Sequence, residues 1–106
     1  MKLEPREYEL LFEFLNNATS FTMYDSKNNF VLQMRNLDKS ALSFTSAGND
    51  IMSFNIKITS LNFDFYEYEV VGPQITFFKK DGYILEVVGS RESYDIIEEL
   101  FHLKND

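Results

Sequence analysis

Every second residue from Met52 to Ile58 is apolar (Met52, Phe54, Ile56, Ile58), with Ser53, Asn55 and Lys57 between. A period of two belongs to a strand with one buried and one wet face. The alternation resumes at Leu61, Phe63 and Phe65. Its phase then slips by one, so that Tyr66, Tyr68 and Val70 become the apolar set and Glu67 and Glu69 the polar one. A straight strand from Ile51 to Val71 would reach roughly 70 Å, far longer than a domain of this size. The chain must therefore turn back, and Thr59-Ser60 is where the phases agree. A turn there sets Ile58 opposite Leu61, Ile56 opposite Phe63 and Phe54 opposite Phe65, all on one face. Thr-Ser lacks the Gly or Asn of the tightest hairpin turns, so a looser turn serves equally. The slip at Phe65-Tyr66 predicts a β-bulge, which adds one residue and re-aims the side chains beyond it.

Helices flank this strand-rich region. Over Glu4 to Asn16, Pro5 suits the first helical turn, and Glu4, Glu7 and Glu9 complement the positive end of the helix dipole. Tyr8, Leu11, Phe12 and Leu15 make one apolar stripe, widened by Leu10 and Phe14. Seven strand-like runs come next, near 19–24, 30–36, 41–46, 51–58, 61–71, 74–79 and 83–88. The loop Asp25-Ser26-Lys27-Asn28 sets Met23 opposite Phe30 and Phe21 opposite Leu32. A turn around Leu37-Asp38-Lys39 sets Met34 opposite Leu42.

Lys80-Asp81-Gly82 is the clearest turn, a three-residue hairpin loop with Gly at the left-handed position. It pairs Phe77 with Leu85 and Ile75 with Val87 in the core. On the other face it puts Phe78 beside Ile84, with Val88 close by. That second apolar patch calls for a cover, either a helix of the same chain or a partner. A last helix, roughly 91–104 and capped by Ser90, has the stripe Tyr94, Ile97 and Phe101, broadened by Ile96, Leu100 and Leu103. Its outer face carries Glu92, Asp95, Glu98 and Glu99.

The expected fold is α+β. An N-terminal helix, about seven short antiparallel strands in a strongly curved sheet or half-open barrel, and a C-terminal helix packed on that sheet form one domain over residues 1–106. Seven strands followed by a helix resembles the pleckstrin-homology-like superfold over residues 19–104, in element order. The Trp typical of the last helix in that superfold is absent, the first helix is an addition, and the mixed or acidic loops provide no basic phosphoinositide pocket. No functional residue carries over.

The chain has no cysteine, which excludes disulfides and thiol catalysis and fits a reducing compartment. Residues 1–7 contain no apolar signal-peptide core, and no apolar run approaches membrane-spanning length, so a cytoplasmic location is expected. The sequon at Asn17-Ala18-Thr19 is then a chance match. Net charge is −7; residues 61–106 hold ten acidic and four basic side chains, residues 1–60 seven and six. Such a surface repels phosphate backbones and anionic lipid, so neither nucleic acid nor membrane is an expected partner. It suits a basic protein reached by electrostatic steering.

Little chemistry is encoded. His102 is the single histidine and cannot build a two-histidine metal site. Glu67 and Glu69 share one face of a strand, which is how a solvated face reads as well as how a carboxylate pair reads. The four glycines form no phosphate-binding loop. No catalytic residue, metal or cofactor is expected.

The function expected from these features is a small acidic, non-catalytic protein-interaction module. It is similar in size and charge to bacterial immunity proteins and phage-encoded inhibitors. It would contact a basic partner through Phe78, Ile84 and Val88 and through Glu67, Glu69, Glu92, Asp95, Glu98 and Glu99. A homodimer through the same patch is a variant of that reading. The alternative is a small apolar-ligand carrier with a cavity between curved sheet and helix.

Overall fold

A computed structural model describes residues 4–35, 42–46, 52–56 and 61–105; for 42–46, 52–56 and 61–63 it describes the backbone alone. Helix α1 (Pro5–Asn16) opens with Pro5 in its first turn. The Glu4 N–H donates to Glu7 Oε1 at 3.2 Å, which satisfies one of the donors a helix start leaves unpaired. The strands are β1 (Ala18–Tyr24), β2 (Phe30–Arg35), β3 (Leu42–Ser46), β4 (Met52–Ile56), β5 (Leu61–Phe65), β6 (Glu67–Val71), β7 (Gln74–Phe78) and β8 (Ile84–Gly89). One 3₁₀ turn at Arg91–Ser93 leads into α2 (Tyr94–Asn105). The protein is α+β, with an N-terminal helix, an antiparallel five-stranded sheet in the order β2-β1-β8-β7-β6, a three-stranded sheet in the order β3-β4-β5, and a C-terminal helix.

The predicted strand over 61–71 is two strands. The Tyr66 N–H donates to the Phe78 carbonyl at 3.0 Å, and Glu67 also stands opposite Phe78. Two residues facing one make a β-bulge, one position later than the phase slip suggests. Phe65 and Tyr68, three apart, are both buried, so the extra residue is absorbed there. Tyr66 is therefore exposed and does not join the apolar set predicted for it.

Strand pairing explains the core. Two rows cross the five-stranded sheet on its inner face. One runs Met34, Phe21, Val87, Ile75, Val70; the other runs Leu32, Met23, Leu85, Phe77, Tyr68. Leu10, Leu11, Phe14 and Leu15 of α1 and Ile96 and Leu100 of α2 close over them in one buried cluster. Phe77 lies at its middle, 4.8 Å from the Phe65 ring edge-on and 6.3 Å from Tyr68.

The β7–β8 hairpin has the predicted register, with Phe77 opposite Leu85, Ile75 opposite Val87 and Phe78 opposite Ile84. Gly82 holds φ +93°, and a Cβ there would lie 2.7 Å from the Ser26 Cβ, so both backbone and space require glycine. Gly89 is required for another reason: a Cβ would meet the Phe14 ring at 2.6 Å, where α1 crosses the end of β8.

Three registers differ from expectation. Met23 faces Leu32 and Phe21 faces Met34, and Phe30 pairs instead with Tyr24. The cause is the Asp25–Asn29 loop. Asp25 Oδ1 accepts the Lys27 and Asn29 N–H groups, each at 2.9 Å, and Asn28 adopts φ 64°, so the strands close at Tyr24 and Phe30. Val31 is then an extra residue that turns Phe30 outward. Met34 does not face Leu42, which pairs with Ile56 in the other sheet. Alternation assigns a face to each residue, and it leaves the neighbouring strand open. In β4–β5, Ile56 faces Leu61 and Phe54 faces Phe63, two residues away from the tight-turn register; an even shift keeps every residue on its face. Thr59-Ser60 and Leu37-Asp38-Lys39 lie outside the described residues.

Candidate interaction groove

The helix faces decide where a site can lie. The buried residues of α2 are Ile96 and Leu100, next to the buried Ser93. Two residues of the predicted stripe Tyr94, Ile97, Phe101 are turned off the core, Tyr94 at 74% exposure and Phe101 at 49%, while Ile97 is partly buried against the edge of the core. α1 behaves likewise, burying Leu10, Leu11, Phe14 and Leu15 and leaving Phe12 exposed. Each helix has more apolar residues than one buried stripe uses, and the sheet takes the stripe that meets its two rows.

On α2 the surplus stripe borders a groove of about 410 Å³. One wall is Tyr94, Ile97 and Phe101, and the other is Val70, Gly72 and Pro73 at the β6–β7 turn. Ser90 and Ser93 lie at the end nearest the start of α2, and among the described residues Glu98 is the charged one that lines it. Glu92, in the 3₁₀ turn before α2, and Asp95, in the first turn of α2, are exposed, and with Glu98 they make no ion pair among the described residues. The wall is thus apolar and aromatic, and the helix beside it is acidic.

Two other predicted acidic residues hold the fold. Glu99 accepts two hydrogen bonds from the Arg6 guanidinium, at 2.7 and 2.9 Å, and ties α2 to α1. That bond holds the Glu99 carboxyl below its ordinary range. Glu67 pairs with Lys104 at 2.5 Å and accepts the Tyr68 N–H at 2.9 Å. Partial burial pushes its carboxyl up, and these two bonds outweigh burial, so the group sits below its ordinary value. The buried Tyr68 phenol donates to Glu7 Oε2 at 2.5 Å, while Lys104 Nζ lies 4.3 Å from its ring centroid. Burial first, and then the Glu7 carboxylate, push the Tyr68 phenol well above its usual value. Glu7, Tyr68, Lys104 and Glu67 therefore knit α1, β6 and α2 together.

The remaining predicted contacts lie on the outer sheet face. Phe78 and Ile84 are directly paired and partly exposed, and Val88 stands on the same face opposite Gln74 and Ser20. Both helices pack on the inner face, so among the described residues no helix covers this patch. Tyr24 and Phe30 extend the patch, their rings 6.5 Å apart edge-on. Glu69 is exposed on that face beside Thr76. His102 is exposed in the last turn of α2, its ring 6.1 Å from that of Phe101. Among the described residues no group of three or more His, Asp or Glu is placed to hold a metal, and no helix is long and apolar enough to cross a membrane.

Sequence reasoning missed Tyr94, Ile97, Phe101, Val70 and Pro73 as a surface. The signal was present in α2, where six large apolar residues in twelve exceed the needs of one buried face. Comparison of the chain with known protein families, curated proteins and solved structures finds no match.

Proposed function

We propose that this chain is a non-catalytic protein-interaction module that docks a basic partner in the groove beside α2. The observation that carries this reading is the exposure of two aromatic side chains, Tyr94 and Phe101, on the wall of an apolar concavity. Tyrosine and phenylalanine are enriched in protein interfaces, and tyrosine is among the residues that carry most of their binding energy. The free carboxylates of Glu92, Asp95 and Glu98, on a chain of net charge −7, supply the complementarity for a basic partner.

The test is affinity capture from the native host with wild type and with the Tyr94→Ser/Phe101→Ser double variant. Support is a basic protein held by wild type, lost by the variant and released as salt rises from about 0.1 to 0.5 M. Identical captures by both forms, or salt-indifferent binding, overturn the proposal. Sedimentation at high concentration separates the homodimer variant, which requires a second copy on Phe78, Ile84 and Val88.

A second reading is a carrier of a small apolar ligand, favoured by a groove volume within the range of ligand sites. Native mass spectrometry that finds only the bare chain removes it. We propose also that the two sheets are one half-open barrel parted between β2 and β3, since β1 pairs with β8 and β5 runs into β6 through one bulged residue. Counted as one bent strand, β5 and β6 restore the seven strands of pleckstrin-homology-like order.

A further inference from the structure

Resting on the interaction reading, we infer that the occupant of the groove is an extended basic segment that adds to the free edge of β6 as an antiparallel strand. The strand order of the larger sheet ends at β6, and no described strand pairs with its other edge. Which backbone groups point to that edge is set by the hairpin beside it. The Lys79 N–H donates to the Tyr83 carbonyl at 2.9 Å, which makes 79 and 83 a hydrogen-bonded pair. Parity then directs the Phe78, Thr76 and Gln74 backbone groups at β6, where they meet Glu67, Glu69 and Val71. The N–H and C=O of Tyr68 and Val70 are therefore directed away from β7.

One of these groups is already used. The Tyr68 N–H is taken by the Glu67 carboxylate, itself held by Lys104. That closes the edge at its Tyr68 end and blunts it against indiscriminate pairing. The Val70 N–H, the Val70 C=O and the Tyr68 C=O are left beside the groove that Val70 lines. An incoming antiparallel strand makes three bonds there. Its residue opposite Val70 exchanges two, and its residue opposite Tyr68 donates the third.

The side chains are placed by the pleat. The residue opposite Val70 points to the inner face, as Val70 does, into the groove against Ile97 and Phe101. The next residue stands opposite Glu69 on the outer face. Glu69 is exposed and makes no ion pair among the described residues, so this position calls for Lys or Arg. The recognised pattern is apolar–basic–apolar in an extended chain. A helical ligand would leave the three edge groups unpaired as it desolvated them.

The test uses an acetylated, amidated Thr-Lys-Val-Lys-Val-Lys-Thr peptide, titrated into isotope-labelled full-length protein and followed by NMR. The edge-facing amides are those of the two valines, and methylation of either amide nitrogen should weaken binding roughly tenfold. Methylation of the central lysine nitrogen, which faces away, should change it by less than about threefold. Val70→Pro removes the edge donor while its nitrogen makes no bond to β7. It should abolish binding with a thermal unfolding curve near wild type, and if it unfolds, the methylation series decides alone. Binding with no period-two pattern, or preferential binding of a helical Leu-Lys peptide that Tyr94→Ser abolishes, overturns strand addition and leaves the interaction reading standing. Peptide binding unchanged by Tyr94→Ser/Phe101→Ser overturns both, and no binding of either peptide overturns strand addition.

Discussion

Leu100 and Phe101 are neighbours in the chain and belong to two different apolar regions. Leu100 is fully buried against the sheet, and Phe101 is half exposed on the groove wall. The same helix carries both stripes, and hydropathy alone weighs them equally. What separates them is what they meet. Ile96 and Leu100 fall on two filled cross-strand rows, whereas Tyr94, Ile97 and Phe101 fall beside the β6–β7 turn, where Gly72 presents no side chain. Burial on the first surface stabilises the fold. On the second, burial is what the proposed partner would supply.

That contrast can be broken most directly at the centre of the core. Phe77→Ala empties the point where Phe65 and Tyr68 meet and should cost about 4 kcal/mol in chemical denaturation. Leu100→Ala should come next at about 3 kcal/mol, and a loss under about 1 kcal/mol would mean that α2 packs on the sheet with its other stripe. Tyr68→Phe keeps the ring and removes only the hydrogen bond to Glu7, so about 2 kcal/mol is expected. Phe101→Ser should lie within about 0.5 kcal/mol of wild type and affect binding alone. A stability loss there as large as that of Leu100→Ala would erase the distinction between the two regions.

The polar network that joins α1, β6 and α2 sharpens the comparison through pH. The Tyr68 phenol is pushed up, so its contribution to stability is complete below the unfolded value near 10 and is lost as pH rises through it. Melts between about pH 9 and 11 should fall less steeply for Tyr68→Phe than for wild type. The carboxyls of Asp25, Glu67, Asp81 and Glu99 are all held low, by loop amides at Asp25 and Asp81 and by Lys104 and Arg6 at the other two. Their contribution is present above the ordinary carboxylate value near 4 and is lost as pH falls below it. Lys104→Met should flatten the acid side slightly, the smallest of these effects, because the ion pair is partly exposed.

Legibility tracked the range of the interactions. The β7–β8 register was readable because Lys80-Asp81-Gly82 sets the hairpin by itself, through the left-handed Gly82 and the Lys79–Tyr83 bond. The β1–β2 register was not, because it turned on Asp25 accepting two backbone amides and on one extra residue at Val31. The bulge was visible as a slip in phase, and its position came from the Tyr66–Phe78 bond. Of the candidate site, the acidic residues Glu92, Asp95 and Glu98 were read as surface. The apolar wall beside them was read as core, since a stripe at helical spacing looks the same whether or not a sheet covers it.

The amino-acid order alone determined the element types, the inward-facing residues of β1, β7 and β8 and the tight turn at Gly82. Each of these depends on contacts a few residues apart or on a simple period of alternation. Tertiary structure decided that β1 lies between β2 and β8, that β2 and β3 part into different sheets, and that α2 turns Leu100 inward and Phe101 out. Those choices compare the burial of whole surfaces far apart in the chain, and no local pattern contains that comparison.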